Sequence, residues 1–252
     1  MNRRRVTVLI LAATAIASAR AGLADLVESA RPSVVAVGTH EPLKNPRFSF
    51  RGTGFAVGSG SRIVTNAHVL PKSGDSDFND RLAILIPRQG GSPELRMARL
   101  LSTSTEHDLA VLEIEGLALP PLALARDSLA RAGTSVALIG FPLGIGLGFV
   151  PVTHRGIVSA ITAIALPPPA ARQLDDKTLA RLRQGAFDIL QLDAVAYPGN
   201  SGSPLFDIES GTVIGVINMV FVKSTKESAI SQPTGITYAI PAKFVVQLLG
   251  QQ

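Results

Sequence analysis

The stretch Gly199-Asn200-Ser201-Gly202-Ser203-Pro204 sets a serine between two glycines, directly ahead of the apolar pair Leu205-Phe206. Glycines permit a turn tight enough to present a side chain from a loop. A serine hydroxyl is a weak nucleophile at neutral pH and needs a histidine within hydrogen-bond reach to take its proton. Upstream, Thr65-Asn66-Ala67-His68 supplies that histidine, and Asp108, at the head of Asp108-Leu109-Ala110-Val111-Leu112, supplies a carboxylate to orient the ring. Each of the three lies beside a strand-like apolar run, in the order histidine, carboxylate, serine. That constellation performs acyl transfer.

The glycines have a second task. Negative charge that develops on an attacked carbonyl needs backbone N–H groups aimed at it, and the N–H groups of Gly199 and Ser201 are the candidate donors. Asn200 sits between them and fixes the turn, while Gly202 allows close backbone approach. His107 is an alternative base, but neighbouring residues on an extended strand point to opposite faces, which favours His68. His154, in Val152-Thr153-His154-Arg155-Gly156, lacks partners at metal-ligand spacing and reads as a surface or loop residue. Asp193 reads as a buried, hydrogen-bonded structural carboxylate. No metal site and no cofactor are expected.

Working outward, short runs rich in Val, Ile, Leu and Thr recur between Gly, Pro, Ser and Asp. In the first half they cover Ser33 to Gly38, Gly54 to Val57, Arg62 to Thr65, Leu82 to Ile86 and Leu109 to Ile114. In the second they cover Ser135 to Gly140, Arg155 to Ile164, Asp188 to Leu192, Thr212 to Met219 and Gly235 to Ile240. This spacing predicts an all-β protein with barrel-like closure. The boundary between two β halves falls near residues 128–133, which places His68 and Asp108 on one half and Ser201 on the other. Two helices are expected. One spans about residues 172–184, after Pro167-Pro168-Pro169, with acids early and arginines late. The other follows Pro241, where Phe244, Val245, Leu248 and Leu249 have helical spacing.

The first 21 residues read as a secretory signal: Arg3, Arg4 and Arg5, an apolar run from Val6 to about Ala17, then small residues. Cleavage after Ala19 and after Ala21 both fit. The run is short for a membrane span, so no stable membrane insertion is expected after cleavage. The whole chain carries a formal charge of +5, but residues 1–21 hold four arginines and no acids, so 20 basic residues face 19 acidic ones in the remainder. A charge of +1 without a long basic run argues against nucleic acid as a partner. There is no cysteine, which excludes disulfides and thiolate chemistry. Export without disulfides points to a bacterial periplasmic or secreted protein.

The residues resemble a trypsin-like serine protease, and more narrowly the protease domain of the HtrA/DegP family. The resemblance rests on GTGFAV at 52–57, TNAHVL at 65–70, DLAVLEIEG at 108–116 and GFPLG at 140–144. GIVSAI at 156–161, QLDAVAYPGNSGSPLF at 191–206, IGVIN at 214–218 and GITYAIP at 235–241 complete it. It implies two six-stranded antiparallel β-barrels, about 30–130 and about 131–241, a C-terminal helix at 242–250, and an active site in the cleft with His68, Asp108 and Ser201 as the triad. It also implies polypeptide substrates and allows a homo-oligomer, since trimers are common in that family. The primary specificity pocket would be lined by Val195, Ala196, Ile217, Met219, Val220 and Phe221, none a carboxylate, which implies a small or medium apolar P1 residue.

The departures are equally specific. The family usually has glycine where this chain has Ser203, and GNSGSP is similar to the serine motif of glutamyl endopeptidases on the same fold. No PDZ segment follows within the 252 residues, and an insertion at 166–187 lengthens the region of the activation and specificity loops. Two other readings follow from these features. One is a catalytically silent protease fold that binds peptides or acts as a scaffold. The other is a glutamyl endopeptidase, which would need a cationic, polar P1 pocket.

Overall fold

The computed structural model describes residues 22–71, 81–88, 90–126, 130–144, 149–164, 187–219 and 235–250. Twelve strands form two closed antiparallel barrels, as the all-β reading anticipates. The first contains β1 (Val34–His40), β2 (Phe48–Val57), β3 (Arg62–Thr65), β4 (Arg81–Ile86), β5 (Glu94–Ser104) and β6 (Leu109–Ile114), joined in the order β1-β2-β3-β6-β5-β4. The second contains β7 (Ser135–Gly140), β8 (Val152–Ile164), β9 (Phe187–Asp193), β10 (Pro204–Asp207), β11 (Val213–Asn218) and β12 (Ile236–Pro241), in the order β10-β11-β12-β9-β8-β7.

Strand burial explains why so many of these runs are apolar without alternation. Val35 and Val37 of β1 point into the first barrel with Ile63, Ile84 and Leu112. Val34 and Ala36, on the other face of the same strand, join a layer between the barrels with Phe55, Leu109, Ile139, Phe141, Phe206 and Val216. A strand buried on both faces has no polar face to show. The second barrel is filled by Val136, Leu138, Leu190, Leu192, Leu205 and Ile217. Burying each such side chain contributes about 2 kcal/mol before entropy is subtracted.

Helix α1 (Leu23–Ala30) precedes β1 and buries Leu26 and Ala30 in the layer between the barrels. Its spacing of Leu23, Leu26, Val27 and Ala30 is helical, although no helix is expected there from the reading above. Helix α2 (Ala242–Gly250) is the expected C-terminal helix, and it packs against β11, β12, β5 and β6, touching both barrels. No helix among the described residues is long and apolar enough to cross a membrane. The expected signal segment and the expected helix at 172–184 lie outside the described residues. Phe187, the last residue of the 166–187 insertion, opens β9.

Candidate active site

His68 sits in a single 3-10 turn, Ala67–Val69, that follows β3. Arg51 of β2 pins the end of this turn, donating from Nε to the Val69 carbonyl at 2.7 Å and from Nη2 to the Leu70 carbonyl at 3.2 Å. Asp108 lies just before β6 with a φ of +51°, a left-handed conformation that a non-glycine residue holds only when its surroundings enforce it. Its carbonyl accepts from Asn66 Nδ2 at 3.0 Å and from the Ala67 N–H at 3.1 Å. One backbone bond and the Asn66 side chain therefore lock the two loops to each other through the Asp108 carbonyl.

The side chains then converge. Asp108 Oδ1 accepts the His68 N–H at 2.8 Å, and Oδ2 lies 2.5 Å from His68 Nδ1. His68 Nε2 lies 3.0 Å from Ser201 Oγ. Asp108 is 9% exposed and Ser201 6%, so the carboxylate is held out of water and needs compensating donors. A third donor comes from the other barrel: Asn218 Nδ2 reaches Asp108 Oδ2 at 2.7 Å. Asn218 was not among the residues singled out by sequence. The signal was present in the two-residue period of β11, where Val216 faces the layer between the barrels and Ile217 the barrel interior. Asn218 therefore shares the face of Val216 and meets Asp108.

The turn around Ser201 is tied to β2. The Thr53 N–H donates to the Ser201 carbonyl at 2.8 Å, and Thr53 Oγ1 donates to the Gly199 carbonyl at 2.8 Å while accepting the Phe141 N–H at 3.1 Å. The Pro198 carbonyl accepts the Leu143 N–H at 2.8 Å. On a trans peptide the Gly199 N–H points the opposite way from that carbonyl. Among the described residues, neither the Gly199 nor the Ser201 N–H has a protein acceptor, whereas Asn200, Gly202 and Ser203 donate to Tyr197, Ile217 and Asn200. Gly199 has a φ of +104°, and a Cβ there would meet the Phe141 carbonyl oxygen at 2.3 Å. The Ser203 hydroxyl is buried with no hydrogen-bond partner among the described residues, as is the Asn200 side-chain amide.

The reading of Asp193 as a buried structural carboxylate is corrected. Asp193 is exposed at the end of β9, because inward-pointing Leu192 forces its neighbour outward. Its cross-strand partners are Ile157 and Ile236, not a buried polar network. His107 does not face Ser201; its ring stacks on Phe244 and meets the edge of Phe187. Of the pocket candidates, Val195 and Met219 are partly exposed and Ala196 is nearly buried. Ile217 is fully buried inside the second barrel, so it supports a pocket without lining its surface. Val220 and Phe221 lie outside the described residues.

His154 is not a solvated loop residue. It lies in β8, partly buried, with its ring 5.8 Å from that of Tyr197 and its Nε2 without a partner among the described residues. Burial pushes its imidazole below the ordinary value of 6.5. The unfolded chain then binds a proton that the folded chain resists, so this contribution is present above 6.5 and is lost as the pH falls below it. The melting temperature is expected to drop between about pH 7.5 and about pH 5.5, and to drop less in His154→Gln. Equal drops in both proteins would remove His154 from the account.

A family model described as trypsin-like peptidase domain matches residues 52–216, a span that contains His68, Asp108 and Ser201. The chain belongs to the trypsin-like peptidase family. A probable periplasmic serine endoprotease DegP-like from Pseudomonas fluorescens is 30% identical over 200 residues, covering 79% of this chain and 34% of the relative. Mouse serine protease HTRA4 is 31% identical over 235 residues, covering 90% and 40%. The crystal structure of Deg5 superposes with a TM-score of 0.63 at 27% identity, covering 89% of this chain and 90% of that one. This trypsin-like peptidase domain spans about a third of the length of the first curated relatives it matches.

Proposed function

We propose that this trypsin-like peptidase domain is a serine endopeptidase, exported to a bacterial periplasm or beyond, that cleaves unfolded or flexible polypeptides through an acyl-enzyme on Ser201. The observation that carries the reading is the 3.0 Å separation of Ser201 Oγ and His68 Nε2, with Asp108 on the other ring nitrogen. The names of the DegP-like relatives, periplasmic serine endoproteases, support the compartment and cleavage within polypeptides.

In this reading Ser201 Oγ attacks the scissile carbonyl carbon as its proton passes to His68 Nε2. Asp108 keeps the other proton on Nδ1 and stabilises the imidazolium. The carbonyl electrons move onto the oxygen, which the N–H groups of Gly199 and Ser201 receive. The Leu143 bond to the Pro198 carbonyl supports this role, because it keeps that carbonyl from turning into the same space. Collapse of the intermediate breaks the C–N bond, and His68 protonates the departing amine. Water, deprotonated by His68, then releases the acid and restores Ser201.

The P1 side chain would lie against Ala196, Val195 and Met219. These residues offer no counter-ion to Lys or Arg and no cation to Glu, so small or medium apolar residues are favoured. Casein and a peptide library are expected to be cleaved after such residues, and Ser201→Ala is expected to lose at least about 10³-fold in kcat. Cleavage after Lys, Arg or Glu would overturn the specificity. Equal turnover by Ser201→Ala and the unaltered protein would overturn the nucleophile.

A further inference from the structure

The proposed acid of the site is held by His68 and by residues that take no part in the reaction. Asp108 has a strained backbone, and its carbonyl and carboxylate are anchored on the side of Asn66, Ala67, His68 and Asn218. The chain entering from the other side must be fixed as well, because a rotation at residue 107 would swing the carboxylate away from His68. His107 provides that anchor. Its ring stacks on Phe244 with centroids 4.0 Å apart and planes 22° from parallel, and the edge contact with Phe187 is at 4.8 Å. Phe187 and Phe244 touch each other at 5.3 Å. The Ser104 hydroxyl bonds His107 Nδ1 at 2.9 Å and also accepts the His107 N–H at 3.3 Å. Lys243 Nζ lies 4.9 Å from the centroid of Phe244, a cation–π contact that helps hold that ring.

These contacts come from separate elements. His107 belongs to the turn leading into β6 of the first barrel, Phe187 begins β9 of the second, and Phe244 lies in α2, which packs on both. We propose that His107 is a positioning residue, clamped by Phe244 and Phe187, through which the C-terminal helix holds Asp108 against His68. The proposal rests on the catalytic reading above. It makes α2 part of the active-site scaffold: a displacement of the helix moves Phe244, then His107, then the carboxylate.

The test uses the full chain with 15N-labelled histidine and the variants His107→Ala, Phe244→Ala and Phe244→Leu, the last keeping apolar volume if the alanine variant does not fold. His68→Ala assigns the His68 ring signals. The variants are expected to shift the His68 ring nitrogens, move the Nδ1 proton upfield as the bond to Asp108 lengthens, and lower kcat about tenfold at unchanged KM. His107→Phe, which keeps the aromatic clamp, is expected to restore both readouts. Lowered melting temperatures with unmoved His68 signals and unchanged kcat would reduce the cluster to ordinary packing and overturn the proposal. Shifted His68 signals in a protein without turnover would uphold the clamp and defeat the catalytic reading instead.

Discussion

Replacing Asp108 with asparagine is expected to lower kcat about 10⁴-fold while the chain still folds cooperatively. Oδ1 accepts the His68 N–H, and Oδ2 receives both His68 Nδ1 and Asn218 Nδ2. A carboxylate accepts all three; a carboxamide offers one oxygen and an NH2 group that must face one of the two sets of donors. If the NH2 group faces the ring, His68 is pushed to the tautomer with its proton on Nε2. That nitrogen then donates toward Ser201 Oγ and cannot take its proton. If it faces the His68 backbone, one part-buried N–H is orphaned at a cost of about 1 kcal/mol. Turnover on a casein-derived peptide, with circular dichroism as the control for folding, checks the prediction. A loss smaller than about tenfold would mean that Asp108 does not orient the base.

Gly202→Ala is expected to have the largest effect on stability. Its φ is +87°, and a Cβ on that backbone would lie 2.0 Å from the Thr53 carbonyl oxygen and 2.5 Å from Thr65 Oγ1. Both neighbours are fixed, since the Thr65 hydroxyl donates to that same carbonyl at 2.7 Å. The methyl group must therefore displace β2, which carries the Thr53 bonds to the Gly199 and Ser201 carbonyls. Backbone strain and overpacking together are expected to cost about 3 kcal/mol or more. Thermal unfolding of the variant should show a clear drop in melting temperature together with loss of activity. A melting temperature equal to that of the unaltered protein would show that the turn is not packed against β2 in this way.

The physical form of each signal decides how much can be read from the chain. The two barrels were legible because most strands are short apolar runs between turn residues. β5 escaped notice because ELRMARLLSTS is largely exposed or half-exposed and mixes charges with apolar residues. Arg99 forms a cross-strand ion pair with Glu113, a contact that depends on register. The histidine, carboxylate and serine candidates could be named because each sits in a compact local pattern. Asn218 and the His107 clamp could not, since both depend on which face of one element meets another. Asp193 and Ile217 failed for the converse reason: alternation along β9 turns one to solvent and barrel closure buries the other.

The most direct test of the central claim is intact-mass spectrometry after treatment with a fluorophosphonate, which phosphonylates an activated serine and releases fluoride. One adduct is expected, mapped by peptide digestion to Ser201, and it should be lost in both Ser201→Ala and His68→Ala. An unlabelled native protein, or labelling that persists undiminished in His68→Ala, would contradict that claim.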